Sequence, residues 1–280
     1  MKRVLAVMVL YEMTLEESST WRAMSGVLKT RPEVAEAVEV MVADNSTEPQ
    51  AMPEGFTGTY LHDRGNAGLA PRYNEALKIA AGRGIEWLLL FDQDTNPTEA
   101  YFLEMLRLTA DLQEDASIAV IVPKLVMDGR ILSPHAPVFR RPEYEVELGS
   151  SGVIGRDVRA FNSGAVVRVS EVEAIGGFPE EYWLDYLDHA TFHRIQERGK
   201  SVYVMDAVLD HELSDATPGK PVNPVRLLNR LKAEEHFYAQ HGTAWERVQH
   251  RFDLLRQVIG WGRRGEFGQA KLRLKALLRM

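Results

Sequence analysis

Cysteine is absent from all 280 residues. That excludes a disulfide scaffold, a thiolate-bound zinc or iron–sulfur centre and a thiol nucleophile, and it fits a reducing compartment. Long apolar runs are missing as well. The longest early one, Val4–Leu10, has seven residues, against about 20 for a membrane-spanning helix. Lys2 and Arg3 imitate the start of a signal peptide, but Glu12, Glu16 and Glu17 follow where small residues should stand. The expectation is a buried first strand in a cytoplasmic protein. Basic excess is also lacking: 33 Lys and Arg face 40 Asp and Glu, a formal charge of −7, so a grip on nucleic acid is not expected. No Gly-x-Gly-x-x-Gly follows a strand, which excludes the dinucleotide fingerprint.

What is present is ordinary globular material, 45% apolar and 26% charged, enough for one large or two small domains. Apolar runs at 4–10, 38–43, 58–62, 87–91 and 118–122 read as strands. Helical patterns at 14–29, 66–81 and 97–112 alternate with them. In the first helix Trp21, Met24 and Leu28 are the expected inward positions. This order predicts an α/β fold with a mostly parallel, Rossmann-like central sheet flanked by helices. Further along, strands are expected at 160–169 and 201–206, a helix up to about Arg198, and helices from Pro224 onward.

Ligands of such sheets bind at the carboxyl ends of the strands. Three polar clusters fall there: Tyr11-Glu12, Asp44-Asn45-Ser46 and Asp92-Gln93-Asp94. Two carboxylates two residues apart suit a hard divalent cation shared with phosphate, but such pairs also occur as solvated turns. Asp44 reads equally as a turn residue capping nearby N–H groups. Asn66-Ala67-Gly68 is either an N-cap with a tight turn or a helix N-terminus facing phosphate. Asp63 and Arg64 read as a surface pair.

Together the pieces Val9-Leu10-Tyr11, Asp44-Asn45-Ser46, Asn66-Ala-Gly-Leu-Ala-Pro-Arg-Tyr-Asn74, Leu88-Leu-Leu-Phe-Asp-Gln-Asp94, Asn162-Ser-Gly164, Gly176-Gly-Phe178 and Trp183-Leu-Asp-Tyr-Leu-Asp188 resemble the family-2 glycosyltransferases of the GT-A fold. The Asp-Gln-Asp version looks most like bacterial rhamnosyltransferases of surface polysaccharide synthesis. The resemblance runs from about residue 4 to 211. It implies a catalytic domain over 1–222, with a nucleotide-sugar half to about 122 and an acceptor half from about 123, followed by a helical extension over 223–280.

The resemblance also implies roles. Tyr11 and Asp44 would hold base and ribose, and Asn66, Gly68 and Asn74 would line the nucleotide pocket. Asp92 would lie near ribose and diphosphate, and Asp94, with Asp92 and His211, would hold Mg²⁺ or Mn²⁺. Asn162 and Ser163 would border the sugar, with Trp183 and Asp185 on the acceptor side. Asp188 would be the base; Asp185 competes for that role, and Ala190 stands where the family commonly has a second acid. His189 and His193 read as helix-surface or packing residues rather than metal ligands.

The implied reaction is an inverting transfer from a nucleotide sugar, dTDP-rhamnose ahead of UDP-sugars, to a saccharide or polyprenyl-linked acceptor. Rival readings lack their signals. A nucleotidyltransferase would place glycines after the first strand, where Leu10-Tyr11-Glu12-Met13-Thr14 has none. A processive synthase would need membrane helices and Gln-x-x-Arg-Trp. A sugar-nucleotide-binding scaffold without turnover is the non-enzyme alternative. From Thr243 onward nine Lys and Arg face three acids among interleaved apolar residues. That pattern fits peripheral membrane contact, or helices packed on the catalytic domain or in a homodimer.

Overall fold

The computed structural model describes residues 2–135, 151–154, 158–210 and 224–279. In chain order the elements are β1 (Val4–Leu10), α1 (Ser19–Thr30), α2 (Pro32–Ala37), β2 (Val38–Asp44), β3 (Thr59–His62), α3 (Leu69–Gly82), β4 (Trp87–Asp92) and α4 (Glu99–Asp111). Then come β5 (Ile118–Met127), β6 (Arg130–Ser133), β7 (Gly152–Ile154), β8 (Ala165–Arg168), α5 (Val169–Ala174), α6 (Leu187–Glu197) and β9 (Ser201–Asp210). Three helices end the chain: α7 (Pro224–His241), α8 (Ala244–Arg263) and α9 (Phe267–Arg279).

The strands form one sheet in the order β3-β2-β1-β4-β8-β5-β9-β7, with β6 beside β5. β3, β2, β1 and β4 run parallel, as do β5 and β9. β8 is inserted antiparallel between β4 and β5. The mostly parallel α/β expectation holds. β1 is buried along its whole length because helices cover both faces, which is why it reads as an unbroken apolar run rather than an alternating one. One core layer lies on the α3 and α6 side and includes Tyr73, Tyr182 and Phe192. The other lies on the α1 and α4 side and includes Met24, Trp87 and Phe102.

Several local expectations change. The helix expected from residue 14 begins at Ser19, where the Ser18 side chain accepts from Trp21 N–H. Thr14 and Glu17 exchange the bonds of a capping box, but that turn does not propagate. Met24 is buried, while Trp21 and Leu28 are partly buried against the same core. The strand expected at 160–169 is only Ala165–Arg168, because residues 162–164 turn. β5 and β9 both outrun their expected ends at 122 and 206. Asp63 and Arg64 do not pair with each other: Asp63 meets Arg72 at 3.2 Å, and Arg64 meets Glu48 at 2.9 Å.

Candidate active site

The register places the predicted residues on one edge. Leu10 lies opposite Asp44, and Val9 lies opposite Asp92. Asp44, Tyr11 and Asp92 therefore sit at the carboxyl ends of three adjacent parallel strands, with Asp44 and Asp92 about 10 Å apart at two strand spacings. Tyr11 is exposed, and its N–H donates to Gln93 Oε1 at 2.8 Å.

Asp44 is fully buried. Its carboxylate accepts Ser46 N–H at 2.9 Å, Gln50 Nε2 at 3.0 Å and the Tyr60 hydroxyl at 2.9 Å. Burial alone would raise its pKa. The bonds from Ser46, Gln50 and Tyr60 together outweigh that and hold the carboxyl below its ordinary value.

The next residue links this strand end to the rest of the cleft. Asn45 Nδ2 donates to the Gly68 carbonyl at 3.1 Å. Gly68 has φ +95°, and a Cβ there would lie 2.3 Å from the Trp183 carbonyl oxygen. Glycine is thus required both by the backbone and by the approach of residue 183. Leu69 N–H donates to that same carbonyl at 3.0 Å, and Trp183 Nε1 returns a bond to Asn66 O at 3.1 Å. The N-terminus of α3 spends its first N–H on Trp183, and Pro71 has none to offer, which leaves little for a phosphate. Trp183 keeps 43% of its surface exposed.

Asn74 lies further along α3. Its side chain bonds Phe178 N–H, Phe178 O and Glu180 Oε1 at 2.8, 3.0 and 3.1 Å. It therefore staples α3 to the Gly177–Glu180 turn.

Asn162 and Ser163 stand beside the two acids expected to carry chemistry. The Ser163 hydroxyl donates to Asp92 Oδ2, and the Asn162 backbone N–H favours the charged form of Asp188. Asp188 stands in the first turn of α6, where it also accepts His189 N–H at 2.8 Å. Burial pushes its carboxyl up to about 7, against the lowering effect of N–H groups from His189, Asp188 itself and Asn162. His189 Nδ1 lies 3.4 Å from Asp188 Oδ1. Burial and the nearby Arg159 hold that imidazole down to about 3, so the contact is not an ion pair near neutral pH.

Tyr186 precedes α6 with φ +67°. This left-handed conformation is strained for a bulky residue, by about 1–3 kcal/mol, and it packs against Phe237, Tyr238 and His189. Asp185, just before it, is half-buried, and Asp94 is exposed beyond the end of β4.

Sequence reasoning gave Tyr73 no role. Its ring is fully buried and its hydroxyl has no hydrogen-bond partner. Burial, then the charges of Asp92 and Asp188, push that phenol well above its ordinary value. The phenol thus senses both acids. The signal lay in the Asn66–Asn74 stretch, but nothing there marks which side chain turns inward. Gln50 and Tyr60, which set the state of Asp44, were likewise unmarked.

The donors at Asp92 and Asp94 are hard carboxylate oxygens of the kind Mg²⁺ and Mn²⁺ favour, so they fit such an ion. The third expected ligand, His211, lies outside the described residues. Among the described residues, the group of three acidic or histidine side chains whose ligand atoms converge is elsewhere: His193, Glu197 and His241.

No protein-family model matches the chain. It is 29% identical over 147 residues to the galactofuranosyltransferase GlfT1 of Mycolicibacterium smegmatis (strain ATCC 700084 / mc(2)155), covering 49% of this chain and 48% of that protein. The chain thus spans about half the length of the curated relative it matches. Among solved structures it is similar to S. aureus TarS residues 1–349, at TM-score 0.52 and 14% identity over 100% of this chain and 92% of that one. The complex of the same fragment with UDP-GlcNAc superposes at TM-score 0.50 and 14% identity, covering 98% and 90%. The fold is of the GT-A type.

Proposed function

We propose that this protein is an inverting glycosyltransferase that moves a sugar from a nucleoside-diphosphate donor to a hydroxyl of a saccharide or lipid-linked acceptor. The observation that carries this reading is the convergence of Asp92 and Asp188 on the Asn162–Ser163 turn at the carboxyl edge of the sheet: the Ser163 hydroxyl donates to Asp92, and the Asn162 N–H favours the charged form of Asp188. The GT-A-type fold and the similarity to a galactofuranosyltransferase support it.

Asp188 takes the proton from the acceptor hydroxyl, and a carboxyl that titrates near 7 is matched to that task. As the proton leaves, the acceptor oxygen attacks the anomeric carbon from the face opposite the diphosphate. The bond to the diphosphate breaks, and the leaving group departs with the electron pair. The strained Tyr186 turn and the His189 N–H hold the carboxylate in place for this step. Asp92 and Asp94 would hold a Mg²⁺ or Mn²⁺ ion, which supplies charge stabilisation for the departing diphosphate.

Tyr11 offers the base an exposed ring. Asp44 meets base or ribose only if Gln50 or Tyr60 turns aside; otherwise it fixes the pocket wall. Trp183 offers the acceptor sugar an exposed indole face. Asn162 and Ser163 border the donor sugar.

Two donor readings have specific support. The resemblance to rhamnosyltransferases favours dTDP-rhamnose. The UDP-GlcNAc complex of the structural neighbour, and that neighbour's fold, favour a UDP-sugar. Melting shifts and hydrolysis with dTDP-rhamnose, UDP-hexoses and GDP-sugars, each with and without Mn²⁺, separate them. The first reading expects the largest shift with dTDP-rhamnose. A shift with none of the donors overturns the function itself.

The division into a catalytic body over 1–222 and a helical extension over 223–280 belongs to the same proposal. No helix among the described residues is long and apolar enough to cross a membrane. On α8, Trp245, Val248, Phe252, Leu255 and Ile259 are exposed at spacings of three and four, flanked by Arg247, Arg251 and Arg256. We assign this face to an anionic lipid surface that presents the acceptor. Co-sedimentation with anionic but not neutral vesicles is expected. Concentration-dependent dimers without vesicle binding would reassign the face to a second copy.

A further inference from the structure

Away from the cleft, α6 and α7 bring three metal-binding side chains together. His193 and Glu197 lie four residues apart on α6 and so share one face. His241 ends α7 and reaches them from the opposite helix. One ligand atom from each lies within 4.8 Å of the others. His193 Nε2 is 3.4 Å from Glu197 Oε1, and the two imidazole rings are 4.8 Å apart at 63°.

A second observation points to a ligand. His241 Nε2 is buried with no hydrogen-bond partner, a state that costs free energy unless something fills it. Phe237 packs against both rings, at 6.0 and 5.3 Å, and shields one side. The neighbouring cation, Arg194, is committed to Glu181 at 2.6 Å. Glu197 keeps most of its side chain in solvent, so an ion has an entry path.

We propose that His193, Glu197 and His241 form a transition-metal site of zinc preference that clamps α7 onto α6. Two imidazoles and one carboxylate suit Zn²⁺, with water in the fourth position. Imidazole donors disfavour Mg²⁺ and Mn²⁺, so the site differs in kind from the carboxylate pair at Asp92 and Asp94. Binding at about 2.0–2.2 Å per ligand requires the three groups to draw together by side-chain rotation. The consequence is positional: α6 carries Asp188 in its first turn, so the ion would anchor the helix that presents that residue. The inference stands whether or not the proposed glycosyl transfer is correct.

Titration calorimetry and melting of the metal-free full chain with ZnCl₂ alone test the site. One equivalent of bound Zn²⁺ and a raised Tm are expected. Co²⁺ in its place should give visible d–d absorption. His241→Ala should abolish the binding. Glu197→Gln, at an exposed position that keeps the fold, should weaken it by at least the ~10–100-fold typical of losing an outer-shell partner. Asp94→Asn should leave it unchanged. Absence of saturable Zn²⁺ binding overturns the site, as does full affinity in Glu197→Gln or loss of binding in Asp94→Asn. If His241→Ala fails to fold, the Glu197→Gln titration and the Co²⁺ spectrum decide.

Discussion

Two buried carboxylates, at the end of β2 and in the first turn of α6, show how one fold gives the same side chain opposite duties. Both are withdrawn from water, which by itself disfavours the charged form. Asp44 is surrounded by side-chain and backbone donors from Ser46, Gln50 and Tyr60, and its carboxyl is held below the usual value. Asp188 has backbone N–H groups beside it that do not offset its burial, which pushes its carboxyl up to about 7. The balance between burial, which dominates at Asp188, and hydrogen-bond donors, which dominate at Asp44, separates a carboxylate that stays charged from one that exchanges a proton. The first suits a pocket wall, and the second suits a base.

The largest test of that contrast is Asp188→Asn. It keeps the shape and removes the basicity, so kcat should fall by roughly 10²–10⁴, the usual worth of a positioned base, while KM for the donor changes little. Steady-state kinetics with whichever donor binds would check it. Equal activity in the variant would move the base to Asp185.

The same substitution has a pH signature in stability. Folded Asp188 keeps its proton up to about pH 7, whereas the unfolded chain releases it near 4. Between those values the native state binds more protons, so this group's contribution to stability falls as pH rises and reaches its full penalty above about 7. The stability of Asp188→Asn relative to wild type, read from denaturant melts, should therefore climb from pH 4 to 7 and then level off, with a gain of up to about a few kcal/mol. A difference independent of pH would contradict the raised pKa.

Asp44→Ala should show the opposite sign. It leaves the Tyr60 hydroxyl, Gln50 Nε2 and Ser46 N–H without their acceptor and should cost about 1–3 kcal/mol in denaturant melts, with a raised donor KM. Because the folded pKa is depressed, that stabilisation is present above the unfolded value and fades as pH falls through the folded one. Tyr73→Phe is the smallest change. It deletes a hydroxyl with no protein partner, so stability should move by less than about 1 kcal/mol. Any rise in KM would report a substrate bond to that hydroxyl.

The contrast also marks what a sequence can convey. The strand ends at Leu10, Asp44 and Asp92 were legible because unbroken apolar runs stop abruptly at polar residues, and parallel strands align those stops. The tight turn at Gly68 was legible as a turn, but its partner Trp183 was not, since the two meet only across the fold. The start of α1 was misplaced because Thr14 and Glu17 carry a genuine capping signal one turn too early. The state of Asp44 depends on Gln50 and Tyr60, which sit in a turn-rich stretch and a short, half-buried strand with no periodic signal. His193 reads as a helix-surface or packing residue, and its ring does pack on Phe237 and His241; His241 is 48 positions away on another helix, so nothing local in the sequence signals that they meet.

The most direct measurement is a carbon-13 NMR titration of the aspartate carboxyls, with Asp44 and Asp188 assigned from their Asn variants. Asp188 is expected to titrate near 7 and Asp44 below its ordinary value. An Asp188 that titrates in the ordinary carboxylate range, near 4, would contradict that expectation.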